Sequence, residues 1–306
     1  MQKKIAEVFG VVAPDTAMIE VRDNLTALVP KQNPSYVFRK DLLSDFLAWH
    51  KGAAGNDPLY VTGPTGSGKS SIITEVSARL GIPLYVVSCH ERMEIPEFFG
   101  RFIVKSGQME WSDGPLMAGI KDPQRAWVLL DEVDTLDPGT FVGLNPLLEG
   151  RTIIIPETGE VIDPNINSCR IIVAGNTAGG GDSTGLYQST KRQNAASMGR
   201  FMIMKVDYPT PDEELQVLLK AIPDLPPIIG ENMINVANKV RELYDNGEIE
   251  CVFCTRTLIR WANLSQFFKG KPGIDVLNYT LDRAIGNRVE NNSRSAIQEL
   301  KQRIFD

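Results

Sequence analysis

Long apolar runs are missing from this 306-residue sequence: no stretch approaches the eighteen or so residues that read as a membrane-spanning helix. The start, MQKKIAEVFG, has a basic beginning but no apolar run or small-residue cleavage site after it, so it does not read as a secretory signal. Histidine is scarce, with only His50 and His90, and cysteine nearly so, with Cys89, Cys169, Cys251 and Cys254. A zinc centre needs about four ligands, and neither histidine is near the Cys251-x-x-Cys254 pair in sequence, so buried thiols are the plainer reading. The expectation is a cytoplasmic protein without disulfides. Excess positive charge is also absent. Thirty-two basic against 38 acidic residues leave a net charge of −6, which argues against non-specific nucleic-acid binding by phosphate neutralisation.

What is present is a rhythm. Leu42, Leu43, Phe46, Leu47 and Trp49 have helical spacing, and KGAAGNDP (51–58) reads as a loop. Short apolar strands are expected at 59–62, 83–88, 126–130, 170–174 and 201–206, with a helix over 70–80 after the first. Unbroken apolar strands are covered on both faces, as in a parallel sheet. The expected class is α/β, with the active site at the carboxyl ends of the strands.

Two inserts interrupt this order. One is the Gly-rich stretch over 100–120, the other a hairpin over 151–163 with arms RTIII and EVI around a Pro-Glu-Thr-Gly turn. After Pro209 the pattern becomes helical. PDEE (211–214) is good first-turn chemistry, three prolines break the chain over 222–227, and helices are expected over 234–243, 256–268, 274–285 and 293–304. The organisation read from this is an N-terminal lead-in over 1–50 packed on the core, an α/β domain over 51–208, and a small all-helical domain over 209–306.

The chemistry begins at GPTGSGKS (63–70), between a strand and a helix. This is the context a phosphate-binding P-loop demands. Gly63, Gly66 and Gly68 let the backbone curl so that its N–H groups, with Pro64, Thr65 and Ser67 between them, turn toward phosphate. Lys69 is expected on the β- and γ-phosphates of ATP and Ser70 on Mg²⁺. Asp131-Glu132 closes the strand WVLL. Asp131 is the second Mg²⁺ residue and Glu132 the candidate general base. Asp134 is treated as secondary. Asn176 ends the next strand, where its amide could hold the attacking water. Arg200, before the last strand, is the candidate for reaching a neighbouring subunit's γ-phosphate, with Arg151 and Arg192 as rivals. Arg256 opens a helix, where a cation opposes the dipole. It is the candidate for reporting nucleotide state from the helical domain. Phe98-Phe99 and Gln108–Trp111 could face a partner or fill a small core.

With these residues in place, the sequence resembles AAA+ ATPases of the MoxR group, the CobS-like ATPase subunits of aerobic cobaltochelatase among them. The resemblance is carried by GPTGSGKSSIITEVSARLGIP (63–83), LLDEVD (129–134), AGNTAGGGDSTGLYQSTKRQNAASMGRF (174–201) and FCTRTLIRWA (253–262). The segment GDSTGLYQST (181–190) is its most CobS-like part. The resemblance implies a P-loop ATPase with Asp131 and Glu132 as Walker B, Asn176 as sensor 1, Arg200 as arginine finger and Arg256 as sensor 2. It makes 107–118 the helix 2 insert and 151–163 the pre-sensor 1 hairpin. It also implies a hexameric ring and a partner with a von Willebrand A domain. The expected function is ATP-driven remodelling or activation of a protein, with cobalt insertion into a corrinoid as one version. A nucleic-acid-stimulated motor and a nucleotide-gated scaffold with little turnover are the alternatives. The mixed charge of the inserts, with Arg101, Lys105 and Arg151 beside Glu110, Asp113, Glu157 and Glu160, argues against the first. An intact Asp131-Glu132 pair argues against the second.

Overall fold

The five apolar runs form one parallel sheet in the computed structural model, which describes residues 1–23, 26–164, 169–182 and 189–306. Two units separate. One holds Met1–Asn33, Phe38–Pro64 and Lys69–Val206, the other Pro34–Val37, Thr65–Gly68 and Asp207–Asp306.

In the first unit, β1 (Gln2–Lys4) runs into α1 (Ile5–Phe9) and pairs antiparallel with β2 (Met18–Glu20). Helix α2 (Lys40–His50) buries the five apolar residues whose spacing predicted it. Strand β3 (Leu59–Thr62) leads through the glycine-rich loop to α3 (Lys69–Leu80), and β4 (Leu84–Ser88) follows. Next come α4 (Ile95–Phe99), the hairpin β5 (Gly100–Lys105) and β6 (Gln108–Asp113), and α5 (Pro115–Ile120). The range 107–118 therefore straddles the second hairpin strand and the start of a helix. Pro115 at the first helical position ends the hairpin there, since its fixed φ suits a helix start. Strand β7 (Trp127–Asp131) precedes α6 (Pro138–Gly143) and α7 (Asn145–Leu148). A second hairpin, β8 (Ile153–Ile154) with β9 (Val161–Ile162), precedes β10 (Arg170–Gly175), α8 (Ala195–Met198) and β11 (Met202–Lys205).

The sheet order is β11–β3–β10–β7–β4, with every neighbouring pair parallel. The central strands are sealed: Leu59, Tyr60, Val61, Val128, Leu130, Ile172, Val173 and Ala174 are fully buried. Both outer strands expose an apolar residue, Val86 on β4 and Ile203 on β11. This is the difference between a strand covered on both faces and one at an edge. Placing β10 between β3 and β7 has the main functional consequence. Register pairs Gly175 with Thr62 on one side and Val173 with Leu130 on the other, so the ends of these three strands adjoin.

The second unit is helical: α9 (Pro211–Ala221), α10 (Pro227–Asp245), α11 (Thr255–Phe267), α12 (Val276–Ala284) and α13 (Asn291–Phe305). Thr210 and Glu213 close a reciprocal capping box at the start of α9, where the acidic first turn favours a helix. Helix α10 begins seven residues earlier than expected from apolar spacing, because Pro227 occupies its first turn, where no N–H is needed. Trp261 and Phe253 are fully buried and meet edge to face, with ring centroids 6.0 Å apart.

Among the described residues no helix is long and apolar enough to cross a membrane, and no group of three His, Cys, Asp or Glu side chains could hold a metal. All four cysteines are buried thiols.

A candidate nucleotide site at three strand ends

The loop after β3 carries three glycines at positive φ, Gly63 (147°), Gly66 (73°) and Gly68 (105°), a region other residues rarely enter. Lys69 opens α3 and is buried. Its Nζ donates to Gly63 O (2.8 Å), to Pro64 O (3.1 Å) and to Asn176 Oδ1 (2.9 Å). Burial pushes its ammonium below the ordinary lysine value, and Asp131, Asp134 and Glu132 oppose that shift. A desolvated cation held by main-chain carbonyls and one amide is ready to exchange them for a stronger anionic partner.

Ser70 Oγ donates to Asp131 Oδ2 at 2.7 Å, and Asp131 Oδ1 accepts from Glu132 N at 3.1 Å. The hydroxyl and the carboxylate thus set two hard oxygen donors side by side. They fit Mg²⁺, which takes one or two protein oxygens and fills its remaining positions with water and phosphate. Glu132 is exposed and sits in the left-handed region (φ 57°, ψ 34°), an uncommon conformation for a residue with a side chain. That turn takes the chain out of β7 and leaves the Glu132 carboxyl in solvent. Among the described residues the buried Ser67 Oγ, within the loop, has no hydrogen-bond partner, which fits a loop that closes around a polar ligand.

Lys69 with Asn176 and Ser70 with Asp131 therefore form two hydrogen-bonded pairs, brought side by side because Lys69 and Ser70 are neighbours in the chain, as are Asp131 and Glu132. Arg200 bonds elsewhere. Its Nε and the Nε of Arg151 both contact the Glu149 carboxylate, and Arg200 also reaches Ala196 O. Two of the three candidate trans arginines thus share one acid. Its location just past α7, 51 residues from Arg200, gave no sequence signal. Arg192 is exposed. Arg256 is exposed on α11 of the second unit. Within that unit, Tyr208 Oη donates to Thr65 O (2.7 Å), and a Cβ on Gly66 would lie 2.7 Å from Cys254 Sγ.

The residue that sequence reasoning undervalued is Asp134. It is fully buried, and its Oδ2 accepts from Asn176 N (2.7 Å), Thr177 N (2.9 Å) and Thr177 Oγ1 (3.3 Å). An acid two positions past Glu132 looks like one more exposed charge. Only the β7–β10 neighbour relation reveals its partner.

The aromatic residues of the first insert divide. Phe98 is fully buried, and Phe99 and Trp111 pack on the core, whereas Phe102, Val104 and Met109 are exposed. Lys121 links the two inserts, donating to Asp113 Oδ1 (2.8 Å) and to Glu160 Oε2 (2.6 Å). Most of the CobS-like segment, 183–188, lies outside the described residues.

Residues 58–193 match the AAA domain (dynein-related subfamily), and residues 214–304 match the CbbQ/NirQ/NorQ C-terminal family. Protein NorQ of Paracoccus denitrificans is 32% identical over 226 residues, covering 72% of this chain and 78% of that protein. The aerobic cobaltochelatase subunit CobS of a Sinorhizobium species is 28% identical over 313 residues, covering 98% of this chain and 90% of that one. CobS aligns over more of the chain and NorQ at higher identity, so CobS is not singled out. Among solved structures, a mutant RuvB of Thermotoga maritima superposes with a TM-score of 0.52 over 89% of this chain and 73% of that one. At 14% identity this shows the fold alone.

Proposed function

The chain belongs to the CbbQ/NirQ/NorQ family of AAA+ P-loop ATPases, and from that premise we propose that it spends ATP, as a ring of its own copies, to remodel or activate a protein partner. The observation that carries the reading is the two adjacent hydrogen-bonded pairs at the ends of β3, β10 and β7, where Lys69 meets Asn176 and Ser70 meets Asp131.

In this reading Lys69 leaves the Gly63 and Pro64 carbonyls for the β- and γ-phosphates of ATP, and the N–H groups of the loop surround the same oxygens. Ser70 and Asp131 would hold Mg²⁺, which supplies neutralisation of charge on the phosphate oxygens. Asn176 orients the attacking water. Glu132 takes the proton from that water as its oxygen bonds to the γ-phosphorus, and the bond to the β–γ bridging oxygen breaks to release ADP. Arg200 of one subunit serves the ATP of the next, with Glu149 as its acidic partner. Arg256 reports nucleotide state from the helical unit. A partner with a von Willebrand A domain and a six-membered ring complete the reading.

Cobalt insertion into a corrinoid is a second reading. The alignment with CobS over 98% of the chain favours it. Co-purification with a large corrinoid-binding subunit would support it.

Glu132→Gln should keep ATP binding and slow hydrolysis by about 100-fold or more. Turnover within twofold of wild type would remove Glu132 as the base. In assembled rings, Arg200→Ala should lower turnover by about 1,000-fold with nucleotide affinity retained. Full turnover in such rings would return the finger role to Arg151 or Arg192.

A further inference from the structure

Asn176 follows the last residue of β10, so the sheet itself does not fix it. Three elements hold its turn instead. Asp134, just past β7, collects the main-chain N–H groups of Asn176 and Thr177 and the Thr177 hydroxyl on a single oxygen, Oδ2. Tyr60, on β3, donates its hydroxyl to Thr177 O at 2.8 Å. Lys69 donates to the Asn176 side chain. The turn leaves no slack: a Cβ on Gly175 would come within 2.6 Å of Tyr60 Oη and 3.0 Å of Asp134 Cγ. The chain returns to the same acid later, where Lys191 N donates to Asp134 O at 2.7 Å.

Asp134 is an expensive choice for this work. It is wholly buried, and its Oδ1 has no hydrogen-bond partner among the described residues. A buried carboxylate with one oxygen unmet costs more than a neutral group of the same shape. Its return is two short main-chain bonds and a longer hydroxyl contact, all to donors that belong to one turn. Hydrolysis is sensitive to that turn, because a displacement of about 1 Å in a positioned group can cost 100-fold in rate.

We propose that Asp134 and Tyr60 are positioning residues for ATP hydrolysis, acting through Asn176 by clamping the Gly175–Thr177 turn. The inference rests on the assignment of Asn176 to the attacking water. It adds that the sensor's position is set by the acid after Walker B and by the tyrosine before the P-loop.

The test uses the full chain, with steady-state ATPase kinetics and equilibrium binding of a fluorescent ATP analogue. Asp134→Asn keeps the size of the side chain and weakens its three bonds. It should lower kcat by about 10- to 100-fold while KM and analogue affinity stay within threefold. Tyr60→Phe removes one hydroxyl and should lower kcat by about fivefold, again without loss of affinity. Added to Asn176→Ala, neither change should reduce kcat further, because all three act at one point. Three results would overturn the proposal: wild-type kcat in Asp134→Asn when Asn176→Ala is impaired, a loss confined to nucleotide affinity, or multiplicative effects in the double variants. If Asn176→Ala itself turned over normally, the sensor assignment would fall first and the clamp with it. Should Asp134→Asn fold poorly, Tyr60→Phe and its combination with Asn176→Ala carry the same comparison.

Discussion

Two fully buried carboxylates, Asp134 in the first unit and Glu214 in the second, meet opposite fates. Glu214 is saturated. Arg241 bonds it through both ends of its guanidinium, Nη1 to Oε2 at 2.8 Å and Nη2 to Oε1 at 2.7 Å, and Thr255 Oγ1 adds a third bond at 2.6 Å. Arg241 is satisfied in turn by Phe253 O and Asn238 Oδ1, and it lies 4.2 Å above the Tyr208 ring. Asp134 has neutral donors on one oxygen and, among the described residues, none on the other. A network in which both ions are matched ties α9, α10 and the start of α11 together. A half-matched acid beside the Asn176 turn fits the proposed role in placement better than a role in stability. Burial of a charge alone therefore does not identify a functional residue; the completeness of its partners separates these two.

The sharpest way to break this comparison is to remove one ion from the matched pair. Arg241→Met should destabilise the chain by about 3–5 kcal/mol, because Glu214 is left buried and unpaired. Urea unfolding followed by helical circular dichroism would measure it. A loss below about 1 kcal/mol would mean that the second unit does not depend on the pair.

His50 shows a third outcome, for a half-buried titratable group. It lies against Trp127, with ring centroids 5.4 Å apart, and its Nδ1 has no hydrogen-bond partner among the described residues. Burial, reinforced by Arg170, Arg22 and Lys51, pushes its pKa down to about 4. The neutral ring is thus the folded form. Since the folded pKa lies below the unfolded value, the contribution is complete above about pH 6.5 and is lost as pH falls toward 4, by roughly 3 kcal/mol in all. His50→Gln should flatten the pH dependence of the urea midpoint over that window. An unchanged slope would show that His50 does not titrate there.

The smallest effect expected is on the stability of Asp134→Asn. Exchanging an unsatisfied carboxylate for an amide should change unfolding free energy by no more than about 1 kcal/mol. A loss as large as that from Arg241→Met would place the two acids in one class.

Much of the architecture was legible in the residues. The apolar runs gave the five strands to within a residue or two, because the three central strands, covered on both faces, carry no polar alternation, and the exposed Val86 and Ile203 of the two edge strands are apolar as well. The loop 63–70 was legible because phosphate binding places glycine at fixed offsets. The helix over 227–245 was less so: its first turn is built on proline, which reads as a break until its position at the helix start is known. The insert over 100–113 was harder, since the exposed apolar residues Val104 and Met109 are indistinguishable in sequence from core residues.

The P-loop, the acidic pair after β7 and the asparagine after β10 were set by the sequence itself, because each is a local pattern tied to a strand end. Tertiary structure decided which of them touch. Inserting β10 between β3 and β7 joined Lys69 to Asn176, and Asn176 to an acid that had looked incidental. The same holds for Arg200, whose acid partner comes from Glu149, and for Glu214, whose cation lies 27 residues ahead on another helix. Sequence spacing encodes a residue's own backbone, whereas the partner of a buried charge is fixed only when distant segments pack.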